Sequence, residues 1–478
     1  MELCFLRASR SVVAKGTVAL VLAGPAGISI AAAQDAQAQQ SAGQQPAGQA
    51  GAAGGQAPAK QKNYKDRAEY DLYSKITQTQ DPKQRLELLN TWQDKYPQSD
   101  FAHDRLLYFV RTLSQLAQTD PASRQQLIDK CKQLLKEDPK SFEASYFITL
   151  WGPAVGGASP QPELLTDIQN AAQAVISGAE ENFSAAKKPQ NMSDTDWANA
   201  KNQVLGLAHK DLAYVATSKK DNKTAENEYK ESLTVNPNQG SVSYDYAKLL
   251  QGDASTPDDQ KYPIVLFEYA RAASYDGPGS LPANARPQVL SYFNKVYQQY
   301  HGGTDGADQV LAQAKTSALP PAGFTVASAG DLAKNQAQQL QQRIDADPAF
   351  KLWYGIEQQL QSQGDQFWNQ MKGAEVPGTQ VEGVKNFSGT VISVDPPDKP
   401  TKVVLGVTDP TKPDATLNFS EPIPADAVKV GSKIEFSGIA DSYTANPYML
   451  TFRDPSIPGV KTPEPKTPPR RGATTRRR

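Results

Sequence analysis

Apolar side chains between residues 62 and 372 recur three and four apart, and Pro, Gly and Asp-rich stretches separate the runs. The segments 84–97 (QRLELLNTWQDKYP), 124–139 (RQQLIDKCKQLLKEDP) and 224–237 (TAENEYKESLTVNP) each carry an apolar face, a short polar stretch and then a proline. That order predicts helices that stop where proline removes a donor and crowds the preceding turn. Residues 347–378 place Phe350, Trp353, Leu360, Phe367 and Met371 on one helical stripe, flanked by Tyr354 and Trp368. The stripe is expected to cap the last helical hairpin; a docking helix for another protein is the alternative. After Pro377 the period changes. NFSGTVISVD, TKVVLGVTD, ATLNFSEPI, SKIEFSGIA and PYMLTFRD are short β-branched and aromatic runs bounded by Pro, Asp, Gly and Asn, which predicts five strands in a small closed or partly closed barrel.

The two ends differ from this body. Arg7, Arg10 and Lys15 precede the apolar run Thr17 to Ile30, and Ala31 and Ala33 supply a small-residue cleavage pattern, so residues 1–33 are expected to be an export signal. Residues 34–61, rich in Gln, Ala and Gly, have almost no large apolar side chains and read as a linker, and the Pro- and Arg-rich residues 457–478 read as a tail. The chain as a whole carries a net charge of −1. From residue 459 onward, however, seven bases stand against one acid, and the stretch between signal and tail holds 40 bases against 49 acids. An acidic body argues against nucleic acid as partner, whereas the tail could contact an anionic envelope polymer or lipid weakly. Of Cys4 and Cys131 only the second would survive signal removal, which rules out an intramolecular disulfide; its spacing with Leu127, Leu134 and Leu135 marks it as a core side chain.

The repeated unit has a recognisable form. Leu212-Ala213, Ala225, Tyr229, Ser232 and Pro237 resemble the tetratricopeptide repeat, a helix–turn–helix unit in which small residues admit close helix approach, an aromatic fills the gap and proline ends the second helix. Tyr246-Ala247, Ala273 and Pro278 resemble a second unit. His209 and Ala216 stand where the repeat usually has tryptophan and tyrosine, and His209 is expected in the core. The expected fold is therefore mainly α: a tetratricopeptide-like helical-hairpin solenoid over residues 62–346, the striped capping helix over 347–378, and a small all-β barrel over 379–456. Residues 426–450 resemble the later strands of an oligonucleotide/oligosaccharide-binding barrel, with Gly431 in a turn, Gly438 in a bend, and Tyr443 and Tyr448 as candidate exposed aromatics.

Known chemical motifs are absent from the sequence. The three histidines, His103, His209 and His301, form no H-E-x-x-H pair, and neither a G-x-S-x-G elbow nor a Gly-Lys dipeptide of a phosphate loop occurs. His301, Asp305 and Asp308 near a Gly-rich turn read as a helix connector and not as a metal site. No catalytic residue, metal or cofactor is expected. The repeat resemblance implies instead a groove for a peptide or protein segment, with Lys210 and Tyr214 on one first helix and Tyr244 and Lys248 on the next facing into it. Those two ammoniums and two phenols would suit a carboxylate. The chain is thus expected to be an exported scaffold or adaptor of the periplasm or cell envelope. The alternative is an envelope protein whose barrel holds a glycan or polyanion while the solenoid serves as spacer.

Overall fold

The computed structural model describes residues 62–378 and 382–460, so the expected signal, the linker and most of the basic tail lie outside the described residues. The chain divides into two compact units at Ala329/Gly330. The first unit is helical throughout its regular elements: α1 (Arg67–Gln78), α2 (Pro82–Lys95), α3 (Ala102–Leu116), α4 (Pro121–Glu137), α5 (Phe142–Gly156), α6 (Pro162–Asn182), α7 (Asp194–Ser218), α8 (Asn222–Val235), α9 (Gly240–Gly252), α10 (Asp258–Ser274), α11 (Arg286–His301) and α12 (Ala307–Thr316). Consecutive helices from α1 to α11 pack against one another, α12 packs on α10, and most of the connecting loops are short, so the array is a succession of helical hairpins.

Local chemistry sets the helix ends. Asp81-Pro82 and Asp120-Pro121 open α2 and α4, each Asp side chain accepting a backbone N–H of the first turn while proline occupies a position whose N–H would be unpaired. Asp221 caps α8 in the same manner through the Thr224 N–H. At the other ends, α2, α4 and α8 stop two residues before Pro97, Pro139 and Pro237.

The repeat residues pack as their type requires. Ala213, Ala225, Tyr229 and Ser232 are buried between α7 and α8, and the Ser232 hydroxyl donates to the Gly206 carbonyl at 2.7 Å. A Cβ on Gly206 would stand 2.7 Å from the Asn236 Cβ, so this crossing admits only glycine without a shift. His209 is a correction: it is half-buried, with Nδ1 2.7 Å from Glu228 Oε2, because its position on α7 faces the side of α8 and not the seam. Cys131 is fully buried and its thiol is pushed up by that burial.

One guanidinium ties three of the second helices together. Arg271, buried on α10, donates to Pro237 O (2.6 Å) just past α8, and to Ala314 O (3.0 Å) and Ser317 O (2.8 Å) at the end of α12. Helix C-termini expose unpaired carbonyls and the negative end of the dipole, which a buried cation satisfies.

The second unit contains α13 (Ala329–Ala346), α14 (Pro348–Gln363), α15 (Asp365–Met371) and the strands β1 (Glu375–Val376), β2 (Phe387–Asp395), β3 (Lys402–Gly406), β4 (Ala415–Asn418), β5 (Lys433–Ala445) and β6 (Tyr448–Ser456). All five expected strands form, and β1 is a short addition. Hydrogen bonding runs β5–β2–β3–β4–β6 and returns to β5, every pair antiparallel except β4–β6. Gly431 has φ +84° in the turn before β5, and Gly438 sits at a register shift of β5 against β6.

The aromatic stripe, expected to cap the last hairpin, packs within the second unit. It breaks at Gly364 (φ +54°) into α14 and α15, and Trp353, Ile356, Leu360, Trp368 and Met371 are buried among the strand side chains of the second unit. Trp353 is fully buried, its ring centroid 5.1 Å from Phe387 and 6.2 Å from Phe452. The helices α14 and α15 thus belong to the unit that begins at Gly330. Tyr448 is a further correction, since it is buried beside Trp353; Tyr443 is half-buried and donates to Asp365 at 3.1 Å.

Arg271→Met should lower the unfolding free energy of the first unit by about 3 kcal/mol, because three carbonyls lose a buried charged donor; a denaturant titration followed by circular dichroism measures this. Trp353→Ala should cost about 4 kcal/mol in the second unit alone. Hydrogen exchange should then accelerate at β2 and β5 and stay unchanged at α7–α9.

Candidate functional site

The four residues singled out from the repeat resemblance stand on α7 and α9, and the structure gives each a definite partner. Lys210 is half-buried, with Nζ 4.0 Å from Asp211 Oδ1. Tyr214 donates its hydroxyl to Gly157 O at 2.7 Å and lies against Gly156, where a Cβ would meet the phenol oxygen at 2.7 Å. Its hydroxyl therefore ties α7 to the end of α5 and is not a free groove phenol. Tyr244 is half-buried, edge-on to Tyr269 with centroids 5.9 Å apart. Lys248 is exposed and holds its ammonium 5.6 Å from the Tyr244 ring centroid, a cation–π geometry one helical turn away on α9.

Sequence reasoning passed over the acids between these lysines. Asp245 keeps an exposed surface, yet desolvation by the protein packed around it raises its carboxyl above the usual carboxylate range; Lys210 and Lys248 both act in the opposite sense. Asp211 is 0% exposed, neither carboxylate oxygen has a hydrogen-bond partner, and burial pushes its carboxyl up to about 7 against the pull of Lys210. Tyr229, buried on α8, feels the charge of both acids. The lysines are consequently not an uncompensated positive pair: the charges of both act on Asp245. Asp211 follows Lys210 directly, and Asp245 follows Tyr244, so adjacency in the sequence was the available signal.

A column of tyrosines continues the face. Tyr269 on α10 stands edge-on to Tyr292 on α11 at 5.2 Å, and both phenols donate to Gln251 Oε1, at 2.8 and 3.0 Å. Tyr292 remains 41% exposed, and Leu290 on the same helix is exposed too. The face thus presents aromatic edges, two ammoniums and one accessible carboxylate, all carried on rigid helices.

The other flagged residues serve the scaffold. His103 pairs with Glu137, and His301 Nδ1 lies 2.8 Å from Ala327 O. Asp305 uses its carbonyl to accept the Tyr297 hydroxyl. Among the described residues no cluster of three His, Cys, Asp or Glu side chains is arranged to hold a metal ion, and no helix is long and apolar enough to cross a membrane. In the second unit, Trp353 Nε1 donates to Thr408 Oγ1 (3.2 Å), which donates to Glu357 Oε2 (3.0 Å), while Asp414 accepts the Val407 and Thr408 amides at 2.7 Å each. Burial raises the Glu357 and Asp414 carboxyls. Each carboxylate is occupied by these bonds, so the cluster reads as the seam between α14 and the β3–β4 turn.

No protein-family model matches the chain, and no curated protein matches it. Among solved structures, a thermophilic TPR protein of Thermus thermophilus is similar at 15% identity over 48% of this chain and 95% of its own, with a TM-score of 0.24. The MamA RS-1 ArsTM double mutant is similar at 11% identity over 48% and 94%, with a TM-score of 0.23. Superpositions of that quality carry no weight of their own, and the helical-hairpin architecture rests on the packing described above.

The Asp211 carboxyl yields a sign-definite prediction. Its folded value lies above its unfolded one, so the folded chain holds the proton more tightly and stability falls as pH rises from about 4 to about 7, then levels. Asp211→Asn should remove that decline, roughly 4 kcal/mol at one pKa unit per 1.36 kcal/mol. Chemical denaturation of both chains at several pH values between these limits would reveal it as a shallower slope.

Proposed function

We propose that this chain is a protein-interaction scaffold, exported to the periplasm or cell envelope, that holds a peptide or protein segment in a tetratricopeptide-like groove along α7, α9 and α11. The observation that carries the reading is the row Lys210, Tyr244, Asp245, Lys248 and Tyr292, which presents mixed charge and accessible aromatic surface on the first helices of successive hairpins. Aromatic anchors among polar neighbours are what peptide-binding faces use. The reading is of a non-enzymatic binder. The export signal that motivates the location lies in residues 1–33, and the basic tail that could touch an anionic polymer or lipid lies mostly beyond Val460; both are outside the described residues.

A second reading has its own support. Counting β2 as the first strand, the hydrogen-bonding order 1-2-3-5-4-1 supports a reading as a small oligonucleotide/oligosaccharide-binding-like barrel. On that reading the second unit takes a glycan or polyanion. The burial of Tyr448 and the engagement of Tyr443 remove the two aromatics that would have supported base stacking.

The test is capture from envelope extract by three immobilised proteins: the full chain, its Tyr244→Ala/Tyr292→Ala variant, and a chain ending at Ala329. A partner retained by the first and third but lost, by at least about tenfold, from the second places binding on the helical face. Retention by the full chain and the double variant, with loss from the shortened chain, would transfer the function to the second unit.

A further inference from the structure

We propose that the centre of this face is a seat for a cationic side chain, an arginine or lysine of an extended peptide, lying between the Asp245 carboxylate and the Tyr244 ring in the place that Lys248 occupies in the free protein. The inference rests on the groove reading above and names the chemistry of its occupant.

The chain already displays the recognition it would offer. Lys248 lays its own ammonium over the Tyr244 ring at 5.6 Å, and its charge acts on Asp245. That ammonium is exposed on a flexible four-carbon stem, so a competing cation can displace it without disturbing the core. The groups facing Asp245 are Lys210 from α7, Tyr229 from α8, and Tyr244 and Lys248 from its own helix, with Tyr292 of α11 acting on Tyr244. An incoming carboxylate would meet Asp245 among the very lysines meant to hold it. An incoming guanidinium meets a carboxylate that can accept two of its hydrogen bonds and a ring on which it can stack.

The experiment is isothermal titration of the full chain with two end-blocked synthetic peptides, Gly-Pro-Arg-Gly-Pro-Arg-Gly and Gly-Pro-Glu-Gly-Pro-Glu-Gly. The arginine peptide should bind and the glutamate peptide should not. Asp245→Asn should weaken the arginine peptide about tenfold, whereas Lys248→Gln, by vacating the seat, should tighten it about threefold. Both substitutions fall at exposed positions, and unchanged thermal unfolding of each variant would exclude a folding defect. An arginine peptide that fails to bind, or that Asp245→Asn leaves unaffected, overturns the proposal. So does binding of the glutamate peptide that Lys248→Gln abolishes, which would restore a carboxylate clamp. Because the capture test turns on Tyr244 and Tyr292 and uses no peptide, success there with failure here would retain the groove and remove only the cation.

Discussion

The helical unit depends on how the carbonyls at its helix ends are satisfied inside the protein. Arg271 does this for two helices at once: it sits on α10 and donates to the chain just past α8 and to the end of α12. Three second helices of successive hairpins are therefore held by one buried guanidinium, whose planar fork can reach carbonyls from separate loops. Glu268, one turn earlier and fully buried, adds an acid that burial pushes up to about 8 and whose charge acts on Arg271. With the second helices fixed, the first helices α7, α9 and α11 stand at defined spacings, and the row of tyrosines and charges they carry becomes one surface.

Small residues set the depth of that arrangement. Gly206 and Ser232 let α7 and α8 approach to the point where a single methyl would collide, and the Ser232 hydroxyl turns the contact into a hydrogen bond. Tyr214 extends the same logic backwards by closing on Gly157 O. The Tyr214 phenol spends its one proton on that tie, and the face centres on Tyr244, Asp245, Lys248 and Tyr292.

The second unit has a different organising centre. Trp353 contacts Phe387, Phe436, Tyr448 and Phe452, so an indole from a helix occupies the middle of a strand-built core. Arg343 of α13 reinforces the attachment through Thr408 O and Val407 O while its guanidinium lies 3.6 Å from the Phe350 ring centroid. The helices α14 and α15 are consequently part of the same core, and the polar seam of Glu357, Thr408 and Asp414 fixes the register of α14 against the β3–β4 turn.

The sequence by itself determined the elements: helices with period 3.6 closed before proline, five strands after Pro377, the buried roles of Ala225, Tyr229, Ser232 and Cys131, and the candidate status of Lys210, Tyr214, Tyr244 and Lys248. These follow from local chemistry, since periodicity reports which face is apolar and capping reports where a helix can start. Tertiary structure alone decided what covers each face and which charges meet. The stripe of Trp353 and Leu360 carries the same pattern whether it faces a helix or a sheet, and only packing assigned it to the strands. Lys210 and Asp245 lie on different helices, and the effect of that lysine on Asp245 is a through-space one that no spacing along the chain encodes.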